Sequence, residues 1–196
     1  MDAAAKTENG VEPVVACCMP MPSQHVPGLP LHNLRQVGGD DSATQALAVN
    51  RDYFWENGTS IHVRFLNRNP ELERLVEEAS RIWAKYANIQ FVFDDAADAQ
   101  IRICFDDMKG GRSQLGRAGH DDAPPDKPTM YLGSGLTKTA FQRTALHEFG
   151  HVLGCVHEHP SPAAHIKWNR DVVVAYYAKY GWPETWTQDA YATKTS

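Results

Sequence analysis

One eleven-residue stretch restricts this chain more than any other: His147-Glu148-Phe149-Gly150-His151-Val152-Leu153-Gly154-Cys155-Val156-His157, the pattern H-E-x-x-H-x-x-G-x-x-H. On a helix, residues four apart lie one turn apart on the same face. His147 and His151 therefore present two imidazoles to one point. Glu148, beside the first of them, approaches that point from the side without ligating. A catalytic zinc usually takes three protein ligands and leaves its fourth position to water. A third ligand on the next helical turn would block that position. Glycine tolerates positive φ, so Gly154 can end the helix and reverse the chain. His157 then returns to the metal from another direction. With 9 His and 14 Gly in 196 residues, the pattern arises by chance on the order of once in ten thousand such chains. That sets aside an amphipathic helix with accidental histidines.

The chemistry follows from these residue types. Zinc lowers the pKa of a bound water toward neutrality and polarises a carbonyl. Glu148 is placed to take the proton from that water and pass it to a leaving amine. The expected site is thus His147, His151 and His157 as metal ligands, Glu148 as the catalytic group, and Zn2+ as cofactor. The expected reaction is endopeptidase hydrolysis of a peptide bond through a metal-bound water. Two rivals use the same residues. One is hydrolysis of a non-peptide amide. The other is a module that keeps zinc and binds peptide without cutting it. The intact Glu148 favours catalysis.

At 196 residues the chain has room for one domain with tails, and its 42% hydrophobic and 22% charged content is that of a globular protein with a real core. A net charge of −5 and a pI near 6.0 give no reason to expect nucleic acid or an anionic membrane as partner. No apolar run approaches the roughly eighteen residues of a membrane span. The expected partner is a peptide or protein substrate; oligomeric state is not legible. Of four cysteines, Cys17 and Cys18 are adjacent, Cys104 falls in an expected strand, and Cys155 lies between Gly154 and His157. Buried thiols are the reading for Cys104 and Cys155. Their pairing is left open.

Along the chain, residues 1–50 are rich in Pro, Gly, Ala and polar residues and read as a largely irregular arm. Trp55-Glu56-Asn57-Gly58 is a turn signal, and the alternation of Ile61, Val63 and Phe65 with polar neighbours predicts a strand. Asn69-Pro70 is an N-cap followed by a first-turn proline. The stripe Leu72, Leu75, Val76, Ala79, Ile82, Trp83 and Tyr86 predicts an amphipathic helix whose apolar side is core. Ile89–Phe93 and Ile101–Phe105 are further strands, and the intervening helix implies parallel pairing. Gly110-Gly111 opens a loop, with Ser113–Gly116 a candidate edge strand. His120, Asp121, Asp122 and Asp126 lie in a polar loop, read as solvated rather than as a second metal site. Thr129–Leu132 is the last expected strand. Thr139-Ala140-Phe141-Gln142 reads as a capping box opening the active-site helix, which runs to about Leu153. Ala145, Phe149 and Val152 fall on its buried side. Asn169 caps a final helix running to about Tyr180.

The eleven-residue pattern resembles that of the metzincin metallopeptidases. With His157-Glu158-His159-Pro160, Ile166 and Trp168-Asn169, the chain is most similar to the astacin-like family and its bacterial and fungal relatives, from about Trp55 to Trp182. The resemblance implies an α+β metzincin-like zincin fold. A twisted, mostly parallel sheet carries a backing helix and the active-site helix. It also implies an edge strand that binds substrate as an added strand. Val37-Gly38-Gly39-Asp40 is similar to the F-x-G-D of astacin pro-segments, with Val in place of Phe. The neighbours of Cys17 and Cys18 do not match a cysteine switch. All five methionines precede His147, so the family's methionine turn and its following tyrosine have no counterpart, and Tyr191 is not assigned that role. The expectation is a truncated lower subdomain. The organisation expected is 1–50, an irregular arm and possible pro-segment; 51–157, the upper zinc-binding catalytic subdomain; and 158–196, a partial lower subdomain. No secretory signal is seen at Met1–Thr7. That makes cytoplasmic the default, although relatives are often secreted.

Overall fold

In the computed structural model, which describes residues 34–37, 47–50, 53–117, 123–157 and 169–179, Asn69 caps the first helix as its residue type requires. Its backbone is extended, and its side chain accepts the Leu72 N–H at 3.3 Å. Helix α1 then spans Pro70–Ala84. Glu73 is only 8% exposed, yet it accepts from the Asn69 N–H and from both Nε and Nη2 of Arg68 at 2.8–2.9 Å. Those bonds offset the cost of removing a carboxylate from water. Leu75, Val76 and Ala79 are buried as the stripe predicts. Tyr86 is not: it is 85% exposed, because it lies past the helix end at Ala84 and the helical spacing no longer applies. Ile82 is also exposed, and Trp83 covers the core in its place.

The main sheet is built from β3 (Ser60–Phe65), β4 (Gln90–Phe93), β5 (Ile101–Asp106), β6 (Gly111–Ser113) and β7 (Met130–Gly133) in the order β4-β3-β5-β7-β6. Every pairing is parallel except β6 with β7. β3, α1 and β4 form the expected crossover between parallel neighbours. The register pairs Val63 with Ile101, Ile103 with Met130, and Leu132 with both Phe105 and Gly111. Paired residues share a face, so one face of the sheet reads Ile61, Val63, Ile101, Ile103, Phe105, Met130 and Leu132. Helix α2 (Lys138–Val152) adds Phe141, Ala145, Phe149 and Val152 to the same core, with α1.

The opposite face carries His62, Arg64, Arg102, Cys104, Arg112 and Tyr131. Arg102 is 2% exposed there. Its guanidinium donates to the carbonyls of Lys127, Ala99 and Ala123 at 2.7, 2.9 and 3.2 Å. Burial lowers its pKa from the ordinary arginine value.

The chain divides into two compact units, the first holding β3 to β7 with α1 and α2. The second contains β1 (Leu34–Val37) and β2 (Leu47–Asn50), paired antiparallel, and α3 (Arg170–Ala178). These two strands are the described part of the segment expected to be largely irregular, and the rest of residues 1–50 lies outside the described residues. Four-residue strands are too short to announce themselves by alternation and exist by virtue of their pairing. Asn169 caps α3 as expected, accepting the Val172 N–H at 3.2 Å. Among the described residues, no helix is long and apolar enough to cross a membrane.

Candidate metal centre

Helix α2 begins earlier than the capping-box pattern suggests. Thr137 is the N-cap, extended at φ −60° and ψ 154°, and its side chain accepts the Ala140 N–H. The Gln at 142 made Thr139 the better sequence match. Packing decides otherwise, since Leu136 before the cap and Phe141 in the first turn join one core cluster, the arrangement of a hydrophobic staple.

From that start the helix sorts its residues by angle. Phe141, Ala145, Phe149 and Val152 enter the core, and Phe149 meets the Phe91 ring edge-on at 5.0 Å. Thr144 and Glu148 form the next row, beside β6. His147 and His151 share a further row, their rings perpendicular with centroids 4.7 Å apart.

The helix ends where the sequence places the end. Leu153 is the C-cap, and Gly154 follows in the left-handed region at φ +90°. One candidate ligand atom from each of His147, His151 and His157 then lies within 4.8 Å of the others. Zinc with bonds of about 2.0–2.1 Å in tetrahedral geometry asks for nitrogens about 3.3 Å apart. The donor set fits, because metal binding needs neutral imidazoles. Although His147 is exposed, its pKa falls to about 4, first through loss of hydration and second through the neighbouring His151. It is therefore neutral at neutral pH. Glu148 is 1% exposed.

The family model for the Astacin peptidases matches residues 48–181. The chain belongs to the astacin family. Astacin-family members are zinc metalloendopeptidases, and that sets the enzyme class of this chain. A structure of myroilysin is similar at 35% identity, with a TM-score of 0.66 over 76% of this chain and 74% of that one. A crystal structure of myroilysin gives 35% identity and a TM-score of 0.56 over 71% of this chain and 62% of that one. High choriolytic enzyme 1, a hatching enzyme zinc-protease from Oryzias latipes (medaka fish), aligns at 21% identity and TM-score 0.49 over 65% of this chain and 62% of that one. A comparison with curated proteins returned no match.

In this astacin-family chain the helix bearing the histidines is held by groups that pattern reading missed. The Trp83 indole donates to Leu146 O at 2.8 Å, one residue before His147. The Trp55 indole donates to Val152 O at 2.7 Å, one residue after His151. The Gly116 N–H donates to His151 O at 2.8 Å. Two of these reach carbonyls in the last turn of the helix, where intrahelical donors run out. Trp55 was legible only as part of a turn signal, and a tryptophan's partner across the fold leaves no periodic trace.

Other sequence candidates fall elsewhere. The edge strand is Gly111–Ser113, earlier than the expected Ser113–Gly116. Asp126 is exposed and pairs with Lys127 at 3.3 Å, while His120, Asp121 and Asp122 lie outside the described residues. So do Cys17, Cys18, Tyr191 and the Gly38-Gly39-Asp40 stretch. Cys155 is buried, and burial raises the pKa of the half-buried Cys104 thiol.

Proposed function

We propose that this chain hydrolyses peptide bonds, with His147, His151 and His157 holding zinc and Glu148 acting as general base and then general acid. The observation that carries the reading is the gathering of the three imidazoles within 4.8 Å of one another, with a buried Glu148 next to the first of them. Zinc in that position supplies a Lewis acid that polarises the scissile carbonyl and acidifies water. Glu148 takes the proton released and returns it to the leaving amine. His147, whose pKa is lowered to about 4, is neutral at the working pH and keeps its lone pair for the metal.

An extended peptide would lie along β6. That strand is last in the sheet and pairs only with β7 among the described residues. Its outer N–H and C=O groups suit an added strand.

The test is a pair of variants. Glu148→Gln preserves size but cannot accept a proton at neutral pH, so it should keep one zinc per chain and lose hydrolysis by about 10²–10⁴-fold. His151→Ala should lose the zinc, measured by metal analysis of the purified protein. Wild-type activity on a generic peptide should vanish with a chelator and return with zinc. Full activity in Glu148→Gln, or unchanged metal content in His151→Ala, would overturn the assignment. A zinc-loaded wild type that cuts no peptide would leave a zinc-dependent binding module.

A further inference from the structure

We propose that Gly111 is a positioning residue for Glu148: by lacking a side chain it leaves the slot in which the Glu148 carboxylate is held against the edge strand. The inference deepens the endopeptidase reading and rests on it for its kinetic consequence. A Cβ built on Gly111 would stand 2.7 Å from Glu148 Oε1, 2.8 Å from its Cγ and 2.6 Å from Thr144 Cγ2. Gly111 pairs with Leu132, and Leu132 belongs to the core face of the sheet, so position 111 is directed at α2.

Neither wall of this slot can retreat easily. On the strand side, β6 is pinned at both ends: Gly133 N donates to Gly110 O at 2.8 Å, and Gln114 N donates to Thr129 O at 2.9 Å. On the helix side, α2 is anchored by the fully buried Phe141 and Phe149 and by the two indole bonds to Leu146 O and Val152 O. Ordinary carbon contacts lie at about 3.5–4.0 Å, so a methyl at position 111 asks for movement of about 1 Å. Thr144 is β-branched on a helix and stiff at χ1. The displacement therefore falls on the unbranched Glu148 side chain. A general base must sit within hydrogen-bond reach of the proton it takes, and about 1 Å of misplacement can cost about 10²-fold in rate. The strand proposed to receive the substrate backbone thus also sets the rotamer of the general base. Substrate register and base position then share one rigid reference.

The test uses the full zinc-loaded chain as wild type, Gly111→Ala, Thr144→Ser and the double variant Gly111→Ala/Thr144→Ser. Gly135→Ala is the control, since a Cβ there meets nothing within 4 Å. Crystal structures report the Glu148 carboxylate position, a chelator competition reports zinc affinity, and a peptide assay reports kcat and KM. The expected result for Gly111→Ala is a displaced carboxylate, zinc affinity unchanged, kcat lower by about 10²-fold and KM level. Thr144→Ser alone should behave as wild type. In the double variant, removing Cγ2 gives the new methyl room, so kcat should recover in part. If Gly111→Ala does not fold, the roomier double variant carries the same reading. An unmoved carboxylate with unchanged kcat overturns the proposal. So does loss of zinc affinity, which would mean that the slot shapes the histidines. If the zinc-loaded wild type cuts no peptide, the endopeptidase reading fails, while the carboxylate position in Gly111→Ala still decides the slot.

Discussion

Replacing Gly154 by alanine removes no ligand and no hydrogen bond donor, yet it should weaken zinc binding. Gly154 sits at φ +90°, directly after the C-cap of the helix that carries His147 and His151. A Cβ in the left-handed region costs about 1–2 kcal/mol. Bringing His157 to the metal requires that turn, so a variant that leaves the left-handed conformation must re-form it in order to bind zinc. An affinity loss of about 5- to 30-fold follows, at 1.4 kcal/mol for each factor of ten. The loss is larger if alanine lets the helix continue. His157 would then follow His151 by six residues, about 600° of rotation, leaving it about 120° away around the axis. Gly154→Asn should recover part of the affinity, because asparagine visits the left-handed region more readily. Gly135→Ala should change nothing, as its added Cβ meets no atom within 4 Å. The assay is competition titration against a chromophoric chelator, on protein whose fold is verified by circular dichroism. Unchanged zinc affinity in folded Gly154→Ala would refute the turn argument and leave glycine there as a packing residue only.

Three further outcomes are expected. His147 has a folded pKa lowered to about 4 against about 6.5 in an unfolded chain, so its contribution to metal-free stability is complete above pH 6.5 and lost as pH falls toward 4. Thermal melts of the metal-free protein should slope downward across that window, less so in His147→Gln; equal slopes would refute it. Arg102→Met should remove the donors of three carbonyls, at about 1–3 kcal/mol for each one left unsatisfied. A denaturant midpoint within error of wild type would contradict that. Phe149→Ala empties a fully buried site against Phe91 and should cost about 3–5 kcal/mol, read as a lower midpoint at unchanged m-value. A loss under about 1 kcal/mol would place Phe149 outside the core.

What the residues determine by themselves is local. His147 and His151 meet because a helix brings every fourth residue to one side, and Gly154 turns the chain because glycine alone enters positive φ at no cost. Asn69 and Asn169 start helices for equally local reasons. The strands Ser60–Phe65 and Ile101–Asp106 are legible because one side of each must be apolar. Tertiary structure decides what depends on partners distant in the chain. It moves the start of the active-site helix to Thr137, because Leu136 and Phe141 share a core that no capping pattern encodes. It buries Arg102 by supplying three carbonyls from turns that sequence cannot bring together. It places Gly111 against Glu148 through the antiparallel register of β6 with β7. Spacing along the chain gives the proposed ligand pair His147 and His151 because helical geometry converts spacing into direction. The slot beside Glu148 has no such conversion, since it is formed by a strand and a helix whose approach is set by packing.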